Sequence, residues 1–163
     1  MKRARQGSHY IIVYRDLLSL RKIYSQHTQR QIEEENEIVL VLPRYETPDM
    51  VRYVLSQMAK IDVRKYEKQN SLLIIDSARA YFGSSIDIVS FVKSLVNYAD
   101  QIGKNSVSVL ADMGPFFHYN KLDDLIEYET SIPPRSDIKA KGLCLYNKDE
   151  FNWRLTRIQR AGN

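Results

Sequence analysis

The chain has 163 residues, of which 44% are hydrophobic and 27% charged, and its formal net charge is +4. This is the composition of a globular chain with one core, so we expect a single domain over residues 1–163. The sequence has no run of about 18 apolar residues, so we expect neither a membrane span nor a secretion signal. It has one cysteine, Cys144, which predicts a cytoplasmic protein without a structural zinc site.

Basic residues gather at the two ends of the chain, over residues 1–6 and 152–163, while the middle is nearly balanced. Two interpretations stay open. The ends are solvated tails, or they contact the phosphates of a nucleic acid.

The first half of the chain predicts alternating strands and helices. The elements are a strand at 9–14, a helix over 17–35 with Leu20, Tyr24 and His27 inward, a strand at 37–42, and a helix from Thr47 to Met58. Residues 38–42 of the 37–42 strand are all apolar, which is typical of a strand buried on both faces. In the second helix, an apolar stripe of Met50, Val54, Leu55 and Met58 is expected to face the core.

The alternation continues in the second half. The elements are a strand at 71–76, a loop at 77–85, a helix that Ser84 and Asp87 start and Gly103 stops, a strand at 106–112, a loop with Gly114 and Pro115, a helix over 120–129 with Leu122, Leu125 and Ile126 inward, a proline-rich break at 131–137, a strand at 140–146 and a last helix from Lys148. Strands that alternate with helices of these lengths form parallel sheets. We therefore predict a three-layer α/β sandwich with a mostly parallel central sheet.

In such a fold, ligands bind beyond the carboxyl ends of the strands. The residues at these ends are Tyr14, Arg15, Asp16, Pro43, Arg44, Asp76, Ser77, Asp112, Met113 and Tyr146. A nucleotide-hydrolysing enzyme needs a glycine-rich loop after its first strand. Here that segment is "YRDLLSLRK", without glycine, so Asp112 is interpreted as the relic of a metal-binding carboxylate.

Other candidate sites have two interpretations each. Asp76 and Asp112 contact a ligand or orient loop amides, and Ser84 caps a helix or helps Gly83 bind an anion. Cys144 is a small buried hydrophobe or a reactive thiol. A nucleophile elbow of the G-x-S-x-G type is missing from the sequence, so we expect no catalytic residue, no metal and no cofactor.

Five segments, taken in order, carry a family resemblance. They are "GSHYIIVYRD", "LLIIDSARAYF", "ADM", "LDDLIEYETSIP" and "KAKGLCLYNKDEF". Over about residues 7–151 the chain resembles the MEDS domain, the sensory domain of methanogens, methylotrophs and the dichloromethane-responsive regulator DcmR. The resemblance implies a RecA-like, KaiC-like fold with a degenerate phosphate-binding loop, and a sensory, non-catalytic role.

The resemblance also implies functional positions. They are His9, Tyr14, Asp76, Tyr81, Asp112, Met113, Tyr128, Glu129, Cys144 and Tyr146. To these the strand-end argument adds Arg15 as a ligand-binding candidate. Asn147 departs from the family, which commonly has an acid there.

The first hypothesis for function is a sensor that binds a small organic ligand or a signalling partner protein. Because members often carry a DNA-binding or kinase module that 163 residues do not hold, we expect signalling through a partner or a homodimer. The alternatives are a nucleic-acid-associated transcriptional regulator that acts through the basic tails, and an ATPase-like enzyme.

Overall fold

The computed structural model describes residues 5–83, 85–131 and 137–152. The strands are β1 (His9–Tyr14), β2 (Ile38–Leu42), β3 (Leu72–Ile74), β4 (Val107–Asp112) and β5 (Ala140–Asn147). The helices are α1 (Leu17–Glu33), α2 (Pro48–Val54), which continues as a π-helical turn over Leu55–Ala59, α3 (Val63–Lys68), α4 (Ser77–Phe82), α5 (Ile88–Gln101), α6 (Gly114–His118) and α7 (Leu122–Ser131). Residues 148–152 are also helical.

The strands form one five-stranded sheet in the order β1-β5-β4-β2-β3, and every pair is parallel. In the register, Ile11 lies opposite Cys144, and Asp112 lies opposite Leu145. All five residues of β2 are buried, as the apolar run within the predicted 37–42 strand predicts. The α/β fold with a parallel central sheet is confirmed.

Helices cover both faces of this sheet, and each face has its own hydrophobic core. One core joins α1, α2 and α3 to the sheet through Leu20, Val51 and Val63. The other joins α5, α6 and α7 to the opposite face through residues such as Leu95 and Phe116. Because side chains alternate along a strand, Leu143 lies in the first core and Cys144 in the second.

Short polar side chains start the helices, as expected of N-caps. Asp16 accepts a hydrogen bond from Ser19 N at 2.7 Å, and Thr47 accepts one from Met50 N at 3.2 Å. Asp87 caps α5. Ser84, predicted to share that start, lies outside the described residues, as do residues 132–136 of the proline-rich break and residues 1–4 and 153–163 of the tails.

Two predicted loops are helices instead. Residues 77–82 form α4, whose Asp76 cap accepts from Arg79 N at 2.9 Å, and residues 114–118 form α6. Both helices pack apolar side chains, among them Phe82 and Phe116, into the core on the α5 side. Tertiary packing thus stabilises helices too short to show a periodic pattern.

The predicted stripe of the second helix was wrong at two positions. Met50 and Met58 are each 43% exposed, whereas Val51 is fully buried. The π-helical turn over Leu55–Ala59 adds a residue to one turn and so turns Met58 away from the core. Met50 precedes that turn, where Val51, Val54 and Leu55 form the buried face at ordinary α-helical spacing. Ile126 was also predicted to point inward, but it is 49% exposed and Leu125 occupies the core position.

No helix in the described part of the chain is both long and apolar enough to cross a lipid bilayer.

Candidate functional site

Two strand ends meet at the carboxyl edge of the sheet on the α1 side. Tyr14 ends β1 and Asp112 ends β4, with β5 between them. The Tyr14 hydroxyl donates to Asp112 Oδ2 at 2.7 Å, and the backbone N–H of Gly114 donates to Asp112 Oδ1 at 2.8 Å. Both carboxylate oxygens therefore have partners within the protein, and the side chain is 1% exposed.

Three more side chains pack around Asp112. The Tyr45 hydroxyl donates to Glu150, and the guanidinium of Arg44 lies 5.9 Å from the centre of the Tyr45 ring. We call Tyr14, Arg44, Tyr45, Asp112 and Glu150 the carboxyl-edge cluster. Burial raises the pKa of Asp112 from 3.8 to about 6, against the opposing effect of its hydrogen bonds. A metal ion at this carboxylate would have to enter a buried site in which each oxygen already accepts one hydrogen bond.

In the segment after β1, the side chain of Asp16 lies at the helix N-terminus, the place where related architectures bind a phosphate. In nucleotide-binding proteins of this architecture, a helix N-terminus holds the phosphate. Here the Asp16 carboxylate sits at the N-terminus of α1 and accepts from both Ser19 N and Ser19 Oγ at 2.7 Å. These bonds lower the pKa of Asp16, so at neutral pH a negative charge stands where a phosphate would bind.

A cavity of about 310 Å³ lies on the opposite face of the sheet, between that face and α5 and α7. We call it the sheet-face cavity. Its apolar lining includes Val89 and Val92 of α5, and Val109 and Ala111 of β4. His9, Tyr128 and Cys144 give one part of its wall polar groups.

A close group of polar side chains lies at this part of the wall. His9 Nε2 is 2.9 Å from Cys144 Sγ and 3.4 Å from Glu129 Oε2, and the Tyr146 hydroxyl donates to Glu129 Oε1. We call His9, Glu129 and Cys144 the His9 triad. Burial, together with the nearby Glu129 carboxylate, raises the pKa of the Cys144 thiol well above its ordinary value. The metal-free thiol is therefore protonated at neutral pH.

The sheet register explains how His9 reaches Cys144. His9 lies opposite Gly142, two residues before Cys144 on the same face of β5. A Cβ atom at Gly142 would lie 3.4 Å from His9 Cδ2. This is an ordinary van der Waals distance, so the imidazole packs along β5 against position 142 on its way to the thiol.

The structure divides the predicted ligand-binding residues between these two regions. His9, Glu129, Cys144 and Tyr146 come together beside the sheet-face cavity. Tyr14, Tyr81, Asp112 and Met113 come together at the carboxyl edge, where the Tyr81 hydroxyl donates to Asp112 O at 3.0 Å. Arg15 is exposed, and Asp76 acts as the cap of α4. Neither joins the two groups.

Sequence reasoning did not single out Glu150 or the apolar lining of the cavity. Glu150 lies in the helical segment after β5, beyond the strand ends that were searched. Val89 and Val92 belong to an apolar helix stripe, which predicts packing against the sheet and carries no signal for a cavity.

Comparisons with known proteins agree with this architecture. The sequence pattern of the MEDS family, described as the methanogen/methylotroph, DcmR sensory domain, matches residues 8–157. A KaiC-like protein from the hyperthermophilic archaeon Pyrococcus horikoshii superposes with a TM-score of 0.60 at 15% identity, over 88% of this chain and 64% of that one. This chain thus spans less than two thirds of the KaiC-like protein.

A second solved structure is similar in fold. It is an uncharacterized Pyrococcus horikoshii protein in complex with an unknown peptide, with a TM-score of 0.65 and 14% identity over 96% of this chain and 75% of that one. At these identities the likeness concerns the fold alone. Among curated protein sequences, none matches this chain significantly.

Proposed function

Because this chain belongs to the MEDS family of sensory domains, we propose that it is a non-catalytic sensor whose sheet-face cavity binds a small organic ligand. The observation that carries the proposal is the cavity itself, about 310 Å³ in volume. Ligand pockets begin at roughly 300 Å³, and a dry apolar cavity of about 150 Å³ suffices for benzene. The volume suits a compact ligand of about ten to fifteen non-hydrogen atoms.

The chemistry of the lining supports a ligand that is mainly apolar with one polar group. Apolar side chains such as Val92 and Ala111 make up most of the wall. Its polar residues include His9 and Tyr128, and also Ser8, Lys93, Ser131 and Lys141. Pockets of this kind gain affinity from apolar contact, while a few polar groups orient the ligand.

The non-catalytic part of the proposal is supported at the carboxyl edge. Nucleotide hydrolysis needs a phosphate cradle and an accessible metal carboxylate. Here Asp16 caps the helix where the phosphate would bind, and Tyr14 and Gly114 occupy both oxygens of Asp112. The basic tails, through which a nucleic acid would bind, lie mostly outside the described residues.

We further propose that this domain is cytoplasmic and that its core spans residues 7–151. In this proposal the signal passes to a partner protein or to a second copy of the chain. The elements that line the cavity support this coupling. Helix α5 presents Val89 and Val92 to the cavity while its other side is exposed at Ser94 and Asn97. A ligand that changes the position of α5 would alter a surface open to a partner.

A cavity-filling substitution tests the proposal. The thermal unfolding midpoint is measured with indole, short-chain alcohols and short-chain amines, for the wild type, for Val92→Trp and for Asn97→Trp. Asn97 is an exposed residue of the same helix, so its variant controls for the added indole ring. We expect at least one class of probe to raise the midpoint of the wild type and of Asn97→Trp, and to leave Val92→Trp unchanged.

Two results would contradict the proposal: no probe shifts the wild type, or the shift persists in Val92→Trp. In the second case the probe binds elsewhere. Circular dichroism spectra establish that both tryptophan variants are folded before the shifts are compared.

A further inference from the structure

The polar wall of the cavity has a second chemical capacity. We propose that His9, Glu129 and Cys144 bind a divalent transition-metal ion of the Zn²⁺ class, with a fourth coordination position directed to the sheet-face cavity. The metal proposal goes beyond the sensory role and does not require it, because metal binding is measured without any organic ligand.

The distances in the His9 triad are close to those of a metal site. The three ligand atoms lie within 4.8 Å of one another. Zn–N, Zn–O and Zn–S bonds of about 2.0–2.3 Å at tetrahedral angles separate two ligand atoms by roughly 3.3–3.6 Å. His9 Nε2 and Glu129 Oε2 are already 3.4 Å apart. Cys144 Sγ, at 2.9 Å from His9 Nε2, would have to move by about 0.6 Å to meet these distances.

The donor atoms select the class of ion. A thiolate and an imidazole favour Zn²⁺, Co²⁺ and related transition metals, whereas Mg²⁺ and Ca²⁺ prefer oxygen ligands. Three protein ligands plus one further position is the arrangement of zinc sites that exchange a water or a substrate. The site is therefore expected to discriminate against Mg²⁺ and Ca²⁺.

A neighbouring side chain orients the carboxylate ligand. The Tyr146 hydroxyl donates to Glu129 Oε1, which leaves Oε2 directed to His9. Metal-binding carboxylates are commonly held by such a second hydrogen bond, which limits their rotation. Tyr146 is thus a positioning residue for the site.

The charges of the His9 triad also suit a buried cation. A divalent ion with one thiolate, one carboxylate and one neutral imidazole carries no net charge, which reduces the cost of burial. Cys144 starts as a thiol, so binding forms a metal–sulfur bond, breaks the S–H bond and releases one proton to the solvent. No electron is transferred. Binding must therefore tighten as the pH rises.

Cobalt spectroscopy tests the proposal on the full chain after treatment with a chelator. Cobalt(II) bound to a thiolate gives an ultraviolet charge-transfer absorption, and Cys144 is the single cysteine of the sequence. Such an absorption therefore reports one residue. We expect it to appear in the wild type on addition of Co²⁺, to disappear on addition of Zn²⁺, and to persist with excess Mg²⁺.

Matched variants then identify the other ligands. His9→Gln and Glu129→Gln are expected to raise the dissociation constant for Co²⁺ at least tenfold. His118→Gln changes an exposed histidine at the end of α6, and Glu127→Gln changes an exposed glutamate of α7, the helix that carries Glu129. Both variants should leave the dissociation constant for Co²⁺ within twofold of that of the wild type. Tyr146→Phe should weaken binding less than Glu129→Gln does.

The proposal is overturned if millimolar Co²⁺ gives the wild type no thiolate absorption, or if His9→Gln and Glu129→Gln bind as tightly as the wild type. Where a variant does not fold, as judged by circular dichroism, the spectrum of the wild type still decides. Failure of this experiment leaves the cavity-filling experiment unaffected, since indole and alcohols are tested without metal.

Discussion

Polar side chains on the two faces of the sheet have different surroundings. At the carboxyl-edge cluster, the acid that ends β4 is enclosed by Tyr14 and Gly114 of the chain itself. At the sheet-face cavity, His9, Tyr128 and Cys144 border about 310 Å³ of space. In the first region both oxygens of Asp112 have donors within the chain, although Arg44 Nε and Glu150 Oε2 are buried there without a hydrogen-bond partner among the described residues. The second region retains room for a molecule from outside.

This difference shows how a strand-end acid can be held inside a fold. Asp112 stands where the architecture would place a ligand-binding carboxylate, but it is buried and accepts hydrogen bonds from Tyr14 and Gly114. In the contrasting region, the polar groups stand beside apolar walls, which is the usual composition of a ligand pocket.

The largest expected effect is a pH dependence of stability that arises from Asp112. Its pKa is about 6 in the folded chain and 3.8 ordinarily, so the folded state holds the proton more tightly. The resulting stabilisation is fully present below pH 3.8 and is lost as the pH rises through 6. Two units of pKa correspond to about 3 kcal/mol.

Urea unfolding at pH 4, 5, 6 and 7 measures this effect against Asp112→Asn, which cannot ionise and should lack that part of the pH dependence. Asp123→Asn, at an exposed position of α7, serves as the control. If Asp112→Asn keeps the pH dependence of the wild type, Asp112 is not the group that titrates.

A smaller effect is expected when Tyr14 loses its hydroxyl. Tyr14→Phe leaves Asp112 Oδ2 buried without its donor, which should lower the free energy of unfolding at pH 7 by about 2 kcal/mol. Since that bond lowers the pKa of Asp112, the pH transition should also move upward. Tyr53→Phe, at a 62% exposed position, should change neither quantity. An unchanged transition in Tyr14→Phe would show that the hydrogen bond does not hold the carboxylate.

One added methyl group compares the packing of the two regions directly. In Gly114→Ala the new Cβ would lie 2.9 Å from Arg44 Cγ and 3.0 Å from Asp112 Oδ1, so we expect a loss of about 1–2 kcal/mol from overpacking. In Gly142→Ala, beside the cavity, the nearest contact is 3.4 Å, and the change should stay within about 0.5 kcal/mol. Chemical denaturation of both variants gives the comparison, and equal losses would remove the contrast in packing.

The smallest expected effect is that of magnesium-ATP, which should leave the thermal unfolding midpoint of the wild type unchanged. Asp16 occupies the helix N-terminus that would hold the phosphates, and Asp112 is enclosed. A rise in the midpoint that disappears in Asp112→Asn would show that the carboxyl edge still binds a nucleotide. The same assay with indole in place of ATP serves as its counterpart for the cavity.

Much of the fold followed from local patterns. The apolar run in the predicted 37–42 strand indicated a strand buried on both faces, and Thr47 marked a helix start. The start of α5 was predicted about three residues too early, because Ser84 and Asp87 fit a capping box while Asp87 itself is the cap. Helices α4 and α6 were missed because five or six residues show no period. Met58 was assigned to the core because the π-helical turn that changes the helix phase has no sequence signal. Met50 was assigned to it because its spacing of four residues from Val54 fits a helix stripe as well as the spacing of Val51 does.

The candidate site was less predictable. Sequence order places Tyr14 and Asp112 at strand ends, and the resemblance marks His9, Glu129 and Cys144. Neither source indicates that these residues divide between two faces of the sheet. The face on which a side chain lies depends on whether its strand position is odd or even relative to the residues that face the core. The strand register sets which positions these are.

The sequence by itself determined the alternation of strands and helices and the absence of glycine from the segment after β1, because both depend on residues adjacent in the chain. Only the tertiary structure decided that Tyr14 meets Asp112 across β5, and that His9 meets Cys144 and Glu129 beside a cavity. These contacts join residues separated by 98 and 135 positions. The order and register of parallel strands create them, and those follow from the packing of the whole sheet between its helices.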